Sequence, residues 1–416
     1  MKEKRKDKKM NQIIKSRIEE INSGKIPEGY KKTSFGVFPH DWEINKKYGD
    51  LFRFNRCLSK SREELGESGY AYLHYGDMHR SFVNKVSYDQ YSILPKVDIT
   101  INGNERYLML DGDIVFLDAS EDLDGTSRCV LIDNPTNEPF FAGLHTIPAR
   151  EKTDSFVKWY KQFITLPDYI RKQFQRLASG FKVYGLNKET IGKIHVAYPK
   201  IKTEQARIAE ILMKWDEMVE LQEQYIQKLE QREHSVIKTT INSVIGESKK
   251  IKECVSYHPS SLLIKNLKED ENGFPVYGAN DITMHISTYS FECDAVAIIK
   301  YGSSAGKVSF LTGKHSVLGT MAEMLPKKNI NIKYIYYVLK CFDFKRYIEI
   351  STTPNVYFED YSEEIIQVPN INVQDRIVKE LDIFTEHISL QKEKLERIKT
   401  QRKALQQYLL TGIVRV

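Results

Sequence analysis

The 416 residues, 41% hydrophobic and 28% charged, have the balance of a soluble globular protein and exceed one ordinary core, so two or three domains are expected. No apolar run reaches the roughly 18 residues of a membrane helix, and the opening MKEKRKDKKM lacks the apolar stretch of a secretory leader, which makes the cytoplasm the expected compartment. The five cysteines, Cys57, Cys129, Cys254, Cys293 and Cys341, are odd in number and never spaced C-x-x-C, which argues against a zinc site or a disulfide framework and for reduced, mostly buried thiols.

In chain order, residues 1–29 form a basic tail with a short helix. The first ten residues hold a surplus of four positive charges, leaving two of the net +6 for the rest. A nucleic-acid role therefore has to rest on basic residues gathered on one face, not on bulk charge. Residues 30–200 read as a first α+β unit. The stretches GYAYLHYG, NERYLML, GDIVFLD and SRCVLID predict strands, turn signals stand at Asn102-Gly103, Asp111-Gly112 and Asp124-Gly125, and a helix is expected over 155–177. Residues 201–246 carry a long helix that no Pro or Gly interrupts. Residues 247–369 repeat the logic, with strands at FPVYGAN, DAVAIIKYG and KVSFLTG and a helix over 332–350; 113–116 and 294–297 read as equivalent strand starts. Residues 370–416 carry a second long helix.

The two long helices are copies. After a one-residue gap, the segments from Pro199 and Pro369 align at a constant offset of 169: Gln205 matches Gln374, Arg207 matches Arg376, Ile208 matches Ile377, and Leu221 matches Leu390. Each follows a Pro-terminated, strand-like stretch, VAYP or IIQVP. The first helix carries the heptad seam Ile208, Leu212, Trp215, Val219, Gln222, Ile226, Leu229, Glu233 and Val236. The second carries Ile377, Leu381, Phe384, Ile388, Gln391, Leu395, Ile398, Arg402 and Leu405. Such a stripe must be buried. In an antiparallel pair Gln222 and Gln391 meet near the crossing point, where a polar pair costs stability and fixes register. Met218, Leu221, Tyr225, Leu390 and Lys394 lie off the seam and are candidate partner contacts. The heads agree much less well than the helices, which suggests two heads that read different things.

No catalytic machinery is legible. An adenine methyltransferase would need an Asn/Asp-Pro-Pro-aromatic motif; Asn134-Pro135-Thr136 is a turn instead. The nearest approach to G-x-x-x-x-G-K-[ST] runs from Gly302 to Val308, has one residue too few between its glycines and lacks the hydroxyl after Lys307, so it reads as a tight hairpin. No nuclease carboxylate cluster stands out.

The duplicated Gln205-x-Arg207-Ile208 and Gln374-x-Arg376-Ile377, the C-terminal Leu409-Leu410-Thr411-Gly412-Ile413-Val414-Arg415-Val416, and Pro39-His40-Asp41-Trp42 with Tyr75-Gly76-Asp77 stand in an order that resembles type I restriction-modification specificity subunits, from about Gly29 to Val416. The resemblance implies two α+β target-recognition domains separated by two long antiparallel coiled-coil helices in a pseudo-twofold arrangement. It also implies a non-catalytic chain that binds double-stranded DNA. Modification subunits, two of them, would methylate adenine at N6 with S-adenosylmethionine, and restriction subunits would use ATP and Mg; no cofactor is expected on this chain. The sequence departs from the pattern at 240–245, which lacks Leu-Leu-x-Gly, and the basic tail before Gln12 is an addition.

Bases are told apart chiefly at their major-groove edges, by short polar side chains and Arg. In the first unit the expected reading loops are 74–80, with His74, Tyr75, Asp77, His79 and Arg80, and 179–184, with Lys182 and Tyr184. In the second they are 277–281, with Asn280; 300–307, with Lys300, Ser303, Ser304 and Lys307; and 351–357, with Thr352, Thr353, Asn355 and Tyr357. Asn280 and Asn355 suit adenine, Arg80 guanine, and Lys182, Lys300 and Lys307 phosphates. The 24 tyrosines fit strands and half-buried surfaces better than base stacking. From Ile208 to Val236 the helix rises about 42 Å, roughly 12 base pairs between head centres, which predicts a two-part target with a fixed gap of roughly five to eight base pairs. The alternative, a coiled-coil scaffold or adaptor without a DNA role, leaves two dissimilar heads on equivalent spacers unexplained.

Overall fold

The structure of the chain, a computed structural model, describes residues 2–80, 84–180, 182–348 and 354–416, with side chains from residue 12 onward except that of Arg80. It divides into two compact units, one ending at Glu220 and completed by Glu396–Val416, the other formed by Leu221–Leu395. Each unit is a head plus a segment of both long helices, Lys202–Asn242 and Ile371–Leu410. The sequence reading set the helices apart from the heads. The contacts divide the chain differently, because the seam residues nearest each helix start are head-core residues: Ile208 and Leu212 in the first unit, Ile377 and Leu381 in the second. Burying such a side chain stabilises by roughly 1.5–3 kcal/mol.

Both heads open with the same module. Strand Glu43–Lys47 pairs with His195–Tyr198, turns through the one-turn helix Tyr48–Leu51 and continues as Phe52–Phe54. Strand Glu247–Lys250 pairs with Ile365–Val368, turns through Ile251–Cys254 and continues as Val255–Pro259. An acid fixes each turn: Lys47 N donates to Asp50 at 2.9 Å and Lys250 N to Glu253 at 2.6 Å.

The main sheets correspond strand for strand. The first runs Phe52–Phe54, Thr146–Glu151, Ile114–Leu117, Cys129–Ile132, with Lys85–Val86 added in parallel at the edge; the second runs Val255–Pro259, Met321–Pro326, Ala295–Ile299, Val308–Leu311. Ile114–Leu117 and Ala295–Ile299 hold the same inner place and are buried throughout, as unbroken apolar runs require, but the pairing register aligns Asp113 with Ala295, one residue on from the expected start at Asp294. Each head adds a smaller sheet built on a parallel pair, Tyr70–Leu73 with Phe140–Ala142 and Phe274–Tyr277 with Lys314–Val317.

Three sequence expectations are corrected. The helix expected over 155–177 is broken: a 3-10 stretch Lys158–Phe163 precedes the helix Asp168–Leu177, because Pro167 cannot donate within a continuous helix. The helix expected from residue 332 ends at Lys340, and Asp343, whose side chain accepts the Lys345 amide, starts a separate turn Phe344–Tyr347. The stretch NERYLML holds a 3-10 turn, Glu105–Tyr107, and no strand; Asp113 accepts the Leu110 amide at 2.8 Å and turns the chain. The thiols are free, with Cys129 and Cys254 buried and Cys293 exposed; burial pushes Cys254 and Cys341 up to about 11, so both are unreactive at neutral pH.

Within each unit the helix segments run antiparallel. In the second, Gln222 Nε2 donates to Gln391 Oε1 at 3.0 Å, and Glu233 accepts from Thr385 Oγ1 (2.8 Å) and Lys340 Nζ (2.9 Å). In the first, Arg402 Nε donates to Asp216 at 2.7 Å, and Arg415 donates to both Glu204 and Asp41. Ile226, Ile388, Leu395 and Ile398 of the seam are buried, while Trp215, Val219, Leu229, Val236, Phe384 and Leu405 are half-buried. The C-terminal Leu409 and Leu410 lie in the first core, and Gly412, at φ +72°, leaves a Cβ no room beside Pro39 and Trp42.

Candidate nucleic-acid interface

The inner strand of each main sheet ends at the same two hydrogen bonds. In the first head Asp118 N donates to His145 O at 3.3 Å, and Asp118 O accepts from Leu186 N at 2.7 Å. In the second, Lys300 N donates to Thr320 O at 2.8 Å, and Lys300 O accepts from Val356 N at 2.9 Å. Beyond these bonds Ala119–Ser120 pairs with Tyr184–Gly185, and Tyr301 bridges to Asn355. Asp118 and Lys300 are therefore equivalent positions, as are His145 and Thr320.

The first head gathers its expected loops at this junction. The six-residue helix Tyr75–Arg80 lies against it: the Tyr75 ring meets His145 edge-on at 5.3 Å, and His145 Nδ1 stands 3.2 Å from Asp118 Oδ1. Arg128 donates to the carbonyls of Met78 and His79, both at 2.8 Å. Residues 74–80 and 179–184 thus meet the segment 118–128 and His145, which sequence reasoning missed. At Gly180, φ +130°, a Cβ would lie 1.9 Å from Val183 O, so this loop requires glycine.

His74, expected to read bases, is only 7% exposed; its Nδ1 accepts the Gly76 amide at 3.2 Å. Its place is inside the turn. Asp77 accepts the His74 amide (3.2 Å) and binds Arg62 (3.0 Å), which likewise commits it to shaping the loop. Tyr75, His79 and Tyr184 are half-buried and Lys182 is exposed. The Arg80 side chain, Thr352 and Thr353 lie outside the described residues.

In the second head, 300–307 closes the tight hairpin expected of it: Gly306 N donates to Ile299 O (2.9 Å) and Ile299 N to Lys307 O (3.0 Å). Gly302 N donates to Pro354 O at 3.0 Å, and Leu318 N donates to Tyr277 O at 2.9 Å, which brings 277–281 to the same end of the head. Asn280, Tyr301, Ser303, Lys307 and Tyr357 are exposed; Ser304 and Asn355 are half-buried, and Asn355 Nδ2 donates to Tyr357 Oη at 3.4 Å. Lys300 differs from all of these. The residue is 9% exposed, its ammonium sits 5.2 Å from the centre of the Tyr301 ring, and burial lowers its pKa.

Both heads thus present hydrogen-bond donors and acceptors on loops tied to one frame. Among the described residues no cluster of three His, Cys, Asp or Glu is placed to hold a metal, and no helix is long and apolar enough to cross a membrane. On the helices, Leu221 and Leu390 are each 57% exposed, and Met218, Tyr225 and Lys394 are exposed as well.

A family model described as "Type I restriction modification DNA specificity domain" matches residues 39–231 and 246–400. Among solved structures, the type I restriction-modification system S subunit from M. genitalium matches with a TM-score of 0.51 at 16% identity, over 88% of this chain and 96% of that one. A chain from a structural description of complex assembly and conformational transition of the type I R-M system matches with a TM-score of 0.59 at 14% identity, over 94% of this chain and 100% of that one. At such identities the likeness is one of fold.

Proposed function

This chain belongs to the type I restriction-modification DNA specificity family, and on that premise we propose that it reads a two-part double-stranded DNA target, one part with each head. It directs modification subunits, two per chain, to methylate adenine at N6, and restriction subunits to cleave. S-adenosylmethionine, ATP and Mg act on those partners in the cytoplasm, and the chain itself supplies recognition without catalysis. The observation that carries this reading is the equivalence of the two loop clusters combined with their chemical difference. One frame offers Asp118 and His145 in the first head and Lys300 and Thr320 in the second, which suits two readers of different bases and has no use in a scaffold.

Salt dependence tests the DNA role. With six to ten phosphate contacts, affinity of the chain assembled with its modification subunit should fall by about 10³–10⁵ between roughly 50 and 200 mM salt. An assembly that forms normally but whose affinity for DNA is weak and flat with salt contradicts the proposal and favours the adaptor reading.

A further inference from the structure

We propose that Lys300 reads the edge of a guanine in the half-site of the second head. This rests on the reading of that head as a DNA reader and assigns Lys300 a role other than the phosphate contact expected from sequence. Burial of the stem fixes where the Lys300 ammonium is held, and only partial desolvation of that ammonium lets it stand without an anionic partner in the free protein. Among the described residues Lys300 has no carboxylate or carbonyl acceptor for its ammonium, only the face of Tyr301. Its pKa is lowered by burial alone. Such a group is completed by an acceptor that arrives with the ligand.

Two acceptors are available on DNA, a phosphate oxygen or the O6 and N7 of guanine. The equivalent position in the first head decides between them. Both heads meet the same anionic backbone, so a position serving phosphate should be basic in both. The first head carries Asp118 there, beside His145, which would repel a phosphate but can accept from a base amino group. The exposed Lys307 and Lys182 fit phosphate better. Lys300, with its stem buried and its ammonium over the ring of Tyr301, which is 40% exposed, fits a flat base edge.

The test is the methylation specificity of Lys300→Met and Lys300→Gln, each assembled with the modification subunit and offered every single-base variant of the wild-type target. In Lys300→Met, discrimination at one guanine of the second half-site should fall from about 10–100-fold to near unity, with the first half-site unchanged as proof of folding. Lys300→Gln should shift that position toward adenine, whose N6 and N7 match a carboxamide. A uniform loss of affinity over all sequences, with the salt slope reduced by about 0.9, means phosphate contact and overturns the assignment, as does an unchanged motif in both variants. A wild-type protein that yields no two-part motif contradicts the DNA-reading function itself, and Lys300 with it.

Discussion

Gln205 and Gln374 show why one residue recurs where its surroundings do not. Each is fully buried in the first turn of a long helix. Gln205 accepts the Val157 amide and donates to the carbonyls of Ser155 and Pro199, each at 2.8 Å. Gln374 accepts the Asn331 amide (2.8 Å) and donates to Asn329 (3.2 Å) and Pro369 (2.8 Å). A side-chain amide alone offers this acceptor and both donors in one plane. Gln205→Ala or Gln374→Ala should cost about 2–4 kcal/mol, since three buried groups lose their partner. Arg207→Ala, two residues on, exposed and paired with Glu210, should change stability by less than about 0.5 kcal/mol. Denaturant unfolding separates the two. The repeat made these positions visible in the sequence, but their partners in the heads, 43 to 50 residues away, were not. The same holds for His74, whose burial depends on the turn around it, and for Asp118, which gains meaning only beside His145.

The seam of the long helices was legible at the scale of elements, because a four-three spacing over nine positions leaves few alternatives. Its polar positions carry the information about pairing. The 169-residue offset maps Asp216 onto Thr385 and Arg402 onto Glu233, so the Asp216–Arg402 ion pair of the first unit corresponds to the Thr385–Glu233 hydrogen bond of the second. The copies are complementary and not interchangeable: two first helices paired alike would set Asp216 against Glu233. Between these sites Gln222 and Gln391 hydrogen-bond. Replacing both with Leu should raise the melting temperature while loosening register, as polar seam residues trade stability for specificity; a marked loss of stability would contradict this. The heads were less legible because their strands are short. The shared opening module hides in the Lys-Lys-apolar-x-acid patterns at 46–50 and 249–253, too brief to register as a repeat, and the helix expected over 155–177 ignored Pro167.

At the scale of the whole molecule, the proposed function puts recognition and chemistry on separate chains, which makes assembly a surface property. Leu221 and Leu390 occupy equivalent positions beside the paired glutamines and are equally exposed, at 57%, as two partners bound in equivalent ways would need. Leu221→Glu and Leu390→Glu should release modification subunits and leave the melting temperature within about 1–2 °C of the parent, because an exposed side chain contributes little to folding. Retained assembly of both variants on a sizing column would remove the assignment. Genome-wide adenine methylation tests the central claim most directly, in a host without methyltransferases of its own that carries this chain with its modification subunit. A single two-part methylated motif with a fixed gap of roughly five to eight base pairs, absent when this chain is omitted, is the predicted result. Methylation that is absent although the complex assembles, or that keeps the same motif without this chain, would contradict it.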